Sequence, residues 1–159
     1  MIESGKYSAK LESFNPLSVL EFIIAIFKPM THLQGTELVY ETTKAAYLEE
    51  AFLFDHHKMF IAQEPLPLRL IGDEIRLKQI LINLVKNALK FCRGGKIRVI
   101  MAFDEVNEML KVHVIDTGKG ILPEDIDRLF KQFGKLHRTA KMNHDGIGMG
   151  LMICKNLVL

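Results

Sequence analysis

Three stretches of this 159-residue chain carry side chains or glycines whose types and spacing could do chemistry. In the first, NLVKNALKF at 83–91, Asn83, Asn87 and Lys90 recur at i, i+4 and i+7. On a helix that spacing aligns two amides and an ammonium in one stripe, where a site could form. In the second, DTGKG at 116–120, an acid precedes two glycines that let a backbone turn tightly or approach another group closely. Asp116 shares its parity with Leu110, Val112 and Val114, so a regular strand points its carboxylate to the buried side. A buried carboxylate is costly unless something donates hydrogen bonds to it. Taken alone, DTGKG reads as a surface turn with a strand-end acid; only the rest of the pattern makes it a partner for a ligand. In the third, Gly146, Gly148 and Gly150 open a helix over 151–159. Free N–H groups at such a helix start suit a phosphate. A lone GxGxG is a weak signal, and dinucleotide folds place it after their first strand, whereas here it follows a loop late in the chain. That loop, 134–145, carries Lys135, His137, Arg138, Lys141 and His144 against a single acid, Asp145. It reads either as a solvated loop or as a mobile cationic cover for phosphates.

The elements that must position these groups follow from pattern and punctuation. Asn15 and Pro16 start a helix as N-cap and first helical residue. Leu17, Leu20, Ile23, Ile24 and Phe27 form its apolar face, and Pro29 ends it. Residues 37–43 read as a strand and 44–54 as an amphipathic helix, followed by a polar loop at 55–58. His56 and His57 in that loop are adjacent side chains without metal-ligand spacing, which argues against a metal site. Pro65 and Pro67 rule out a central strand there. Asp73 caps a long helix running to about Phe91, whose Leu77, Ile80, Leu81, Leu84, Val85 and Ala88 make a core-facing pattern. The Asn83–Asn87–Lys90 stripe flanks that face. Arg93 to Gly95 turn the chain into a strand on which Ile97, Val99, Met101 and Phe103 alternate. A turn at 104–108 leads back along the strand that ends at Asp116. Pro123 begins a short helix through Leu129, Phe130 and Phe133.

Composition sets the bounds. A 48% hydrophobic, 25% charged chain is globular, and a net charge of +2 is too small to argue for nucleic acid or a membrane surface. The apolar run at Ile23 to Phe27 is too short to span a bilayer. With no signal peptide the chain reads as cytosolic, and Cys92 and Cys154 as reduced and structural. There is no internal repeat.

Taken in order, these stretches resemble the catalytic ATP-binding domain of sensor histidine kinases, within the wider superfamily of gyrase, Hsp90, histidine kinase and MutL ATPases. GDEIRLKQILINLVKNALKF resembles the N box, VIDTGKGI the first glycine box, LFKQF the F box and GIGMGLMICKNLV the second glycine box. The resemblance covers 14–159. It implies an α/β fold of the Bergerat ATP-binding type, a two-layer α+β sandwich with a mixed sheet and helices on one face. It also implies ATP and Mg²⁺ as cofactors. Asn87 matches the magnesium ligand, Asn83 a residue orienting water or phosphates, and Lys90 a phosphate-contacting cation; Asn83 and Lys90 would serve the reaction. Phe91 would lie by the adenosine half. Asp116 matches the acceptor of the adenine amino group, which would discriminate against guanine, whose carbonyl there repels a carboxylate. Gly118 and Gly120 let the backbone approach the base; Ile121, Phe133 and Leu151 would line the site; Gly146, Gly148 and Gly150 would frame the triphosphate.

The chain departs from the family's pattern in three places. The phosphate-accepting histidine of relatives lies on a helical hairpin and is followed by an acid. None of His32, His56, His57, His113 or His137 is so followed, and His144, which is, lies in the lid. MIESGKYSAKL resembles the tail of that hairpin's second helix, so 1–13 reads as its remnant or a linker. Relatives continue past the last helix into two more strands, so the sheet is expected to lack its C-terminal strands and to leave an apolar edge. Residues 44–64 exceed the family's usual connection and read as an insertion of about twenty residues. These features describe a fragment of a hybrid sensor kinase. Its partners would be ATP and, in the longer parent, a phosphoacceptor-histidine dimerisation domain and a response-regulator receiver, with no nucleic acid and no membrane contact by this segment. The parent would be cytoplasmic or membrane-anchored. The alternative is a nucleotide-binding module without turnover. A hydrolytic relative fits less well, because the N box starts with Asn83 and supplies no general base for water.

Overall fold

Asn15 and Pro16 begin the first long helix as their chemistry requires. The Asn15 side chain accepts from the Leu17 N–H at 2.9 Å, and Pro16 occupies the first helical position. The computed structural model describes residues 9–44, 66–67, 69–129 and 150–158. Within them the order is β1 (Glu12–Phe14), α1 (Pro16–Leu33), β2 (Glu37–Lys44), β3 (Leu70–Gly72), α2 (Glu74–Phe91), β4 (Lys96–Asp104), β5 (Met109–Asp116), α3 (Pro123–Leu129) and α4 (Gly150–Val158). The helix expected at 44–54 and the His56–His57 pair lie outside the described residues.

Strands β2, β4 and β5 form a mixed sheet in that order, with β2 parallel and β5 antiparallel to β4. A short antiparallel ribbon joins β1 to β3. The register puts Leu38, Ile97, Val99, Met101, Leu110, Val112 and Val114 on one face of the sheet. Val19, Leu20, Ile23 and Phe27 of α1 and Leu81, Val85, Ala88 and Leu89 of α2 meet that face in one hydrophobic cluster. This is the expected architecture: helices packed on one side of a mixed sheet. On the opposite face Arg98 makes a two-pronged pair with Glu41, at 3.1 and 2.9 Å. Ile100 and Ala102 on that face are also buried, so the expected one-sided alternation of β4 fails. On that face the register sets Glu41 and Thr43 of β2 and Lys111 and His113 of β5 beside them.

Helix α1 corrects three expectations. Pro29 does not end it; the helix continues to Leu33. Pro29 only withholds one N–H, while the later turn is held by a Schellman closure in which Thr36 N–H reaches the Thr31 carbonyl at 2.9 Å and Gly35 N–H the His32 carbonyl at 3.1 Å. Gly35 takes the left-handed φ of 64° that this closure needs. Leu17 points outward and Val19 takes its place in the core, because the buried stripe runs through Pro16, Val19, Leu20, Ile23, Phe27 and Thr31. The helix as a whole is also longer in apolar character than the stretch Ile23 to Phe27 suggests. By length and mean hydropathy, 1.3, it could cross a bilayer; here its apolar stripe is spent on the shared core with α2.

Asp73 caps α2 as expected. Its Oδ1 accepts from the Arg76 N–H at 3.0 Å, and its Oδ2 accepts from the Lys10 N–H at 3.0 Å and pairs with Arg76 Nε at 3.1 Å. The Arg76 and Lys10 backbone bonds hold this carboxyl below its ordinary 3.8. A depressed folded-state value means the contribution is full above pH 3.8 and fades as pH falls through the folded value. Urea unfolding of Asp73→Ala against the unaltered chain should therefore show a gap in midpoint at pH 6 that narrows as the pH is taken below about 4. A gap that does not depend on pH would remove the charge from the cap.

Candidate functional site

Successive residues of a helix are turned by about 100°, so Asn83 lies about 200° around α2 from both Leu81 and Val85. The structure buries Leu81, Val85, Ala88 and Leu89, while Leu77, Ile80 and Leu84 are only half-buried. The Asn83–Asn87–Lys90 stripe therefore lies across the helix from the core and does not simply flank it. It is nevertheless half-buried. On the Asn83 side the reason is α4. A Cβ built on Gly150 would sit 3.6 Å from Asn83 Oδ1, and the Cys154 thiol lies over Ile80, 3.9 Å from its carbonyl. Burial pushes the Cys154 thiol up, against a smaller opposing effect of its hydrogen bond with Asn83. The start of α4, whose first N–H groups have no partner within the helix itself, is thus seated beside the first amide of the stripe.

The other end of the stripe meets the turn after β5. Gly118 N–H donates to Asp116 Oδ1 at 2.8 Å. A Cβ at Gly118 would lie 2.6 Å from that oxygen and 2.6 Å from the Phe91 carbonyl oxygen. Only glycine lets the turn rest on the end of α2. Gly120 follows with φ 68°, a left-handed conformation that also favours glycine. Asp116 itself is exposed, which corrects the expectation of a buried carboxylate. Its parity is as expected, opposite Ile97, but the strand ends there and no described residue covers it. One oxygen is held by Gly118; among the described residues the other accepts no hydrogen bond. An oriented acid with a vacant acceptor is what reading an amino group needs.

Two ammonium groups approach the Phe91 ring, Lys90 Nζ at 5.4 Å and Lys119 Nζ at 5.6 Å from its centroid. From Asn83 to Phe91 the helix rises about 12 Å, so glycine-lined backbone and polar groups are set out along a length suited to an extended ligand. Ile121 stands exposed beside this turn and Leu151 is half-buried in α4. Phe133, Gly146 and Gly148 lie outside the described residues. A cavity of about 500 Å³ lies elsewhere, lined by Ser13, Phe14, Asn15, Ser18, Arg69 and Glu74 at the opposite end of α2. It contains none of the expected site residues.

A profile of the family described as histidine kinase-, DNA gyrase B-, and HSP90-like ATPase matches residues 72–159, more than half of the chain. The chain belongs to this ATPase family. Over 160 residues it is 32% identical to the sensor histidine kinase GacS of Pseudomonas protegens, covering 99% of this chain and 15% of GacS. Against the autoinducer 2 sensor kinase/phosphatase LuxQ of Vibrio parahaemolyticus it is 30% identical, covering 99% of this chain and 16% of LuxQ. The chain thus spans about a sixth of the length of these relatives. Among solved structures it is similar to full-length ShkA in complex with AMPPNP, with a TM-score of 0.71 and 25% identity, over 94% of this chain and 26% of ShkA. Fold and family agree with the resemblance carried by the N box and the two glycine boxes.

Sequence reasoning missed three contributors: Lys119, at the Phe91 ring; Thr117, bonded to Lys96; and Thr36, whose hydroxyl donates to the Cys92 carbonyl at 3.0 Å and accepts from Gly94 N–H at 3.2 Å. No periodicity marks them; a hydroxyl directly after the strand-end acid was the one available signal. The Gly118 contact makes a direct forecast. Gly118→Ala should weaken ATP binding by about tenfold or more in a calorimetric titration, about 1.4 kcal/mol per decade. Full affinity in that variant would show that the turn does not need to rest on Phe91.

Proposed function

We propose that this chain is the ATP·Mg²⁺-binding catalytic domain of a hybrid sensor histidine kinase. It would act within a longer parent protein on the cytoplasmic side of any membrane. In this reading residues 14–159 form the ATP-binding unit, 44–64 are an insertion, and 1–13 lead in from a dimerisation hairpin. The carrying observation is that Gly118 docks the Asp116 turn onto Phe91 at one end of the amide stripe while Gly150 docks α4 onto Asn83 at the other. In this reading Asp116 as base reader and the start of α4 as phosphate binder share one helix as their support.

The chemistry follows from those positions. Asp116 accepts from the adenine amino group. Lys90 and the N–H groups opening α4 face the phosphates, and Asn83 orients them. Among the described residues no three His, Cys, Asp or Glu side chains converge on a metal site. Asn87 offers one hard amide oxygen, which fits Mg²⁺ completed by phosphate oxygens and water. Bound there, Mg²⁺ would offset phosphate charge. A neutral imidazole nitrogen on a separate helical hairpin attacks the γ-phosphorus. The new P–N bond forms as the bond to the β–γ bridging oxygen breaks, ADP leaves, and a receiver domain then takes the phosphoryl group. The catalytic domain contributes position and charge and needs no general base for water.

The test mixes the chain with a hairpin bearing the acceptor histidine and ATP labelled at the γ-phosphate. Acid-labile label on the hairpin supports the reading. ATP binding with no label on the hairpin would instead make the chain a nucleotide-binding module. In equilibrium titrations with and without Mg²⁺, Asn87→Ala should bind ATP with an affinity that no longer responds to the metal. A response equal to that of the unaltered chain would move the metal to other ligands.

A further inference from the structure

The last rung between β4 and β5 is not an ordinary backbone pair. Thr117 N–H donates to the Lys96 carbonyl at 3.0 Å, as the ladder requires. The return bond from Lys96 N–H goes to the Thr117 hydroxyl at 2.9 Å, where a regular rung would use the Thr117 carbonyl. The side chain thus stands in for its own backbone. This releases the carbonyl side of Thr117, and the chain can turn at once toward Gly118 and the Phe91 carbonyl.

The same hydroxyl is tied to the end of α2. Cys92, 1% exposed, has its sulfur 3.6 Å from the Thr117 hydroxyl and 3.6 Å from the Lys96 carbonyl. With the thiol donating to that carbonyl, the Thr117 hydroxyl donates to sulfur, and the ring Lys96–Thr117–Cys92 closes. Gly95 admits this ring: a Cβ there would lie 2.8 Å from the Cys92 sulfur and against the Thr117 oxygen. Residues 92–96 are held from the far side by Thr36 and by the Glu37 N–H, which reaches the Gly95 carbonyl at 2.8 Å. The turn that Thr117 grips is therefore itself fixed.

We propose that Thr117 is a positioning residue for base selection: its hydroxyl, locked to Lys96 and Cys92, sets where Asp116 stands relative to the end of α2. The inference rests on the reading of Asp116 as the adenine acceptor. Replacing the hydroxyl by a methyl in Thr117→Val keeps the shape but leaves the Lys96 N–H without its partner. The β5 end then slips, and the acid loses its aim before the sheet loses its fold.

The experiment measures ATP and GTP dissociation constants with Mg²⁺, together with melting temperatures, for the chain and four variants. Thr117→Val should lose about tenfold in ATP affinity, the scale of one hydrogen bond, with GTP affinity little changed, so that the ATP-to-GTP ratio falls. Thr117→Ser, which restores the hydroxyl, should recover the ratio. Gly95→Ala, which crowds the same ring from the other side, should lower the ratio too and serves if Thr117→Val does not fold. Asp116→Asn is the reference for loss of base reading. A lowered ratio in Asp116→Asn with an unchanged one in Thr117→Val and Gly95→Ala overturns the positioning role alone. An unchanged ratio in Asp116→Asn overturns the adenine reading and the inference with it. Equal losses for ATP and GTP, tracking melting temperature and not rescued by serine, would make Thr117 merely structural and overturn the proposal.

Discussion

At the C-terminal end of α2 there is no room for a side chain on residue 118, and the geometry of the site depends on that contact. A β-carbon there would collide with the Phe91 carbonyl and with the Asp116 carboxylate. Hydrogen therefore lets the turn after β5 lie directly on the helix end. The close approach converts two elements distant in sequence into one surface, with the acid at its edge. It also explains why a glycine follows the acid at this spacing: Gly118 both donates its N–H to Asp116 and supplies the missing volume.

Helix α2 carries the site because it is packed on two opposite sides. Leu81 and Val85 are fully buried toward α1 and the sheet, each contributing about 1.5–3 kcal/mol of burial. Across the helix, α4 covers Asn83 and Ile80 through Gly150 and Cys154. The amide stripe is left half-buried between polar solvent and packed protein. In that setting charge and hydrogen-bond interactions with a ligand are stronger than at an open surface. The same packing accounts for the two cysteines. Both are buried, and each closes a junction with α2: Cys92 to the β4–β5 rung and Cys154 to α4.

Local chemistry written along the chain determined much of this protein. Asn15 and Asp73 cap their helices, apolar periodicity marks α1 and α2, and alternation marks β4 and β5, because each depends only on neighbours a few residues away. The order of the N box and glycine boxes likewise carried the family. Tertiary packing decided the rest. It extended α1 past Pro29 by a closure that needs Thr36 and Gly35 in place. It chose Val19 over Leu17 for the core, and it buried Ile100 and Ala102 on the second face of β4. It left Asp116 exposed, since parity states which way a side chain points but not what covers it. It assigned Thr117 a role that no spacing could announce, because the partners of that hydroxyl, Cys92 and Lys96, come from a turn more than twenty residues earlier and meet it only once the sheet has formed.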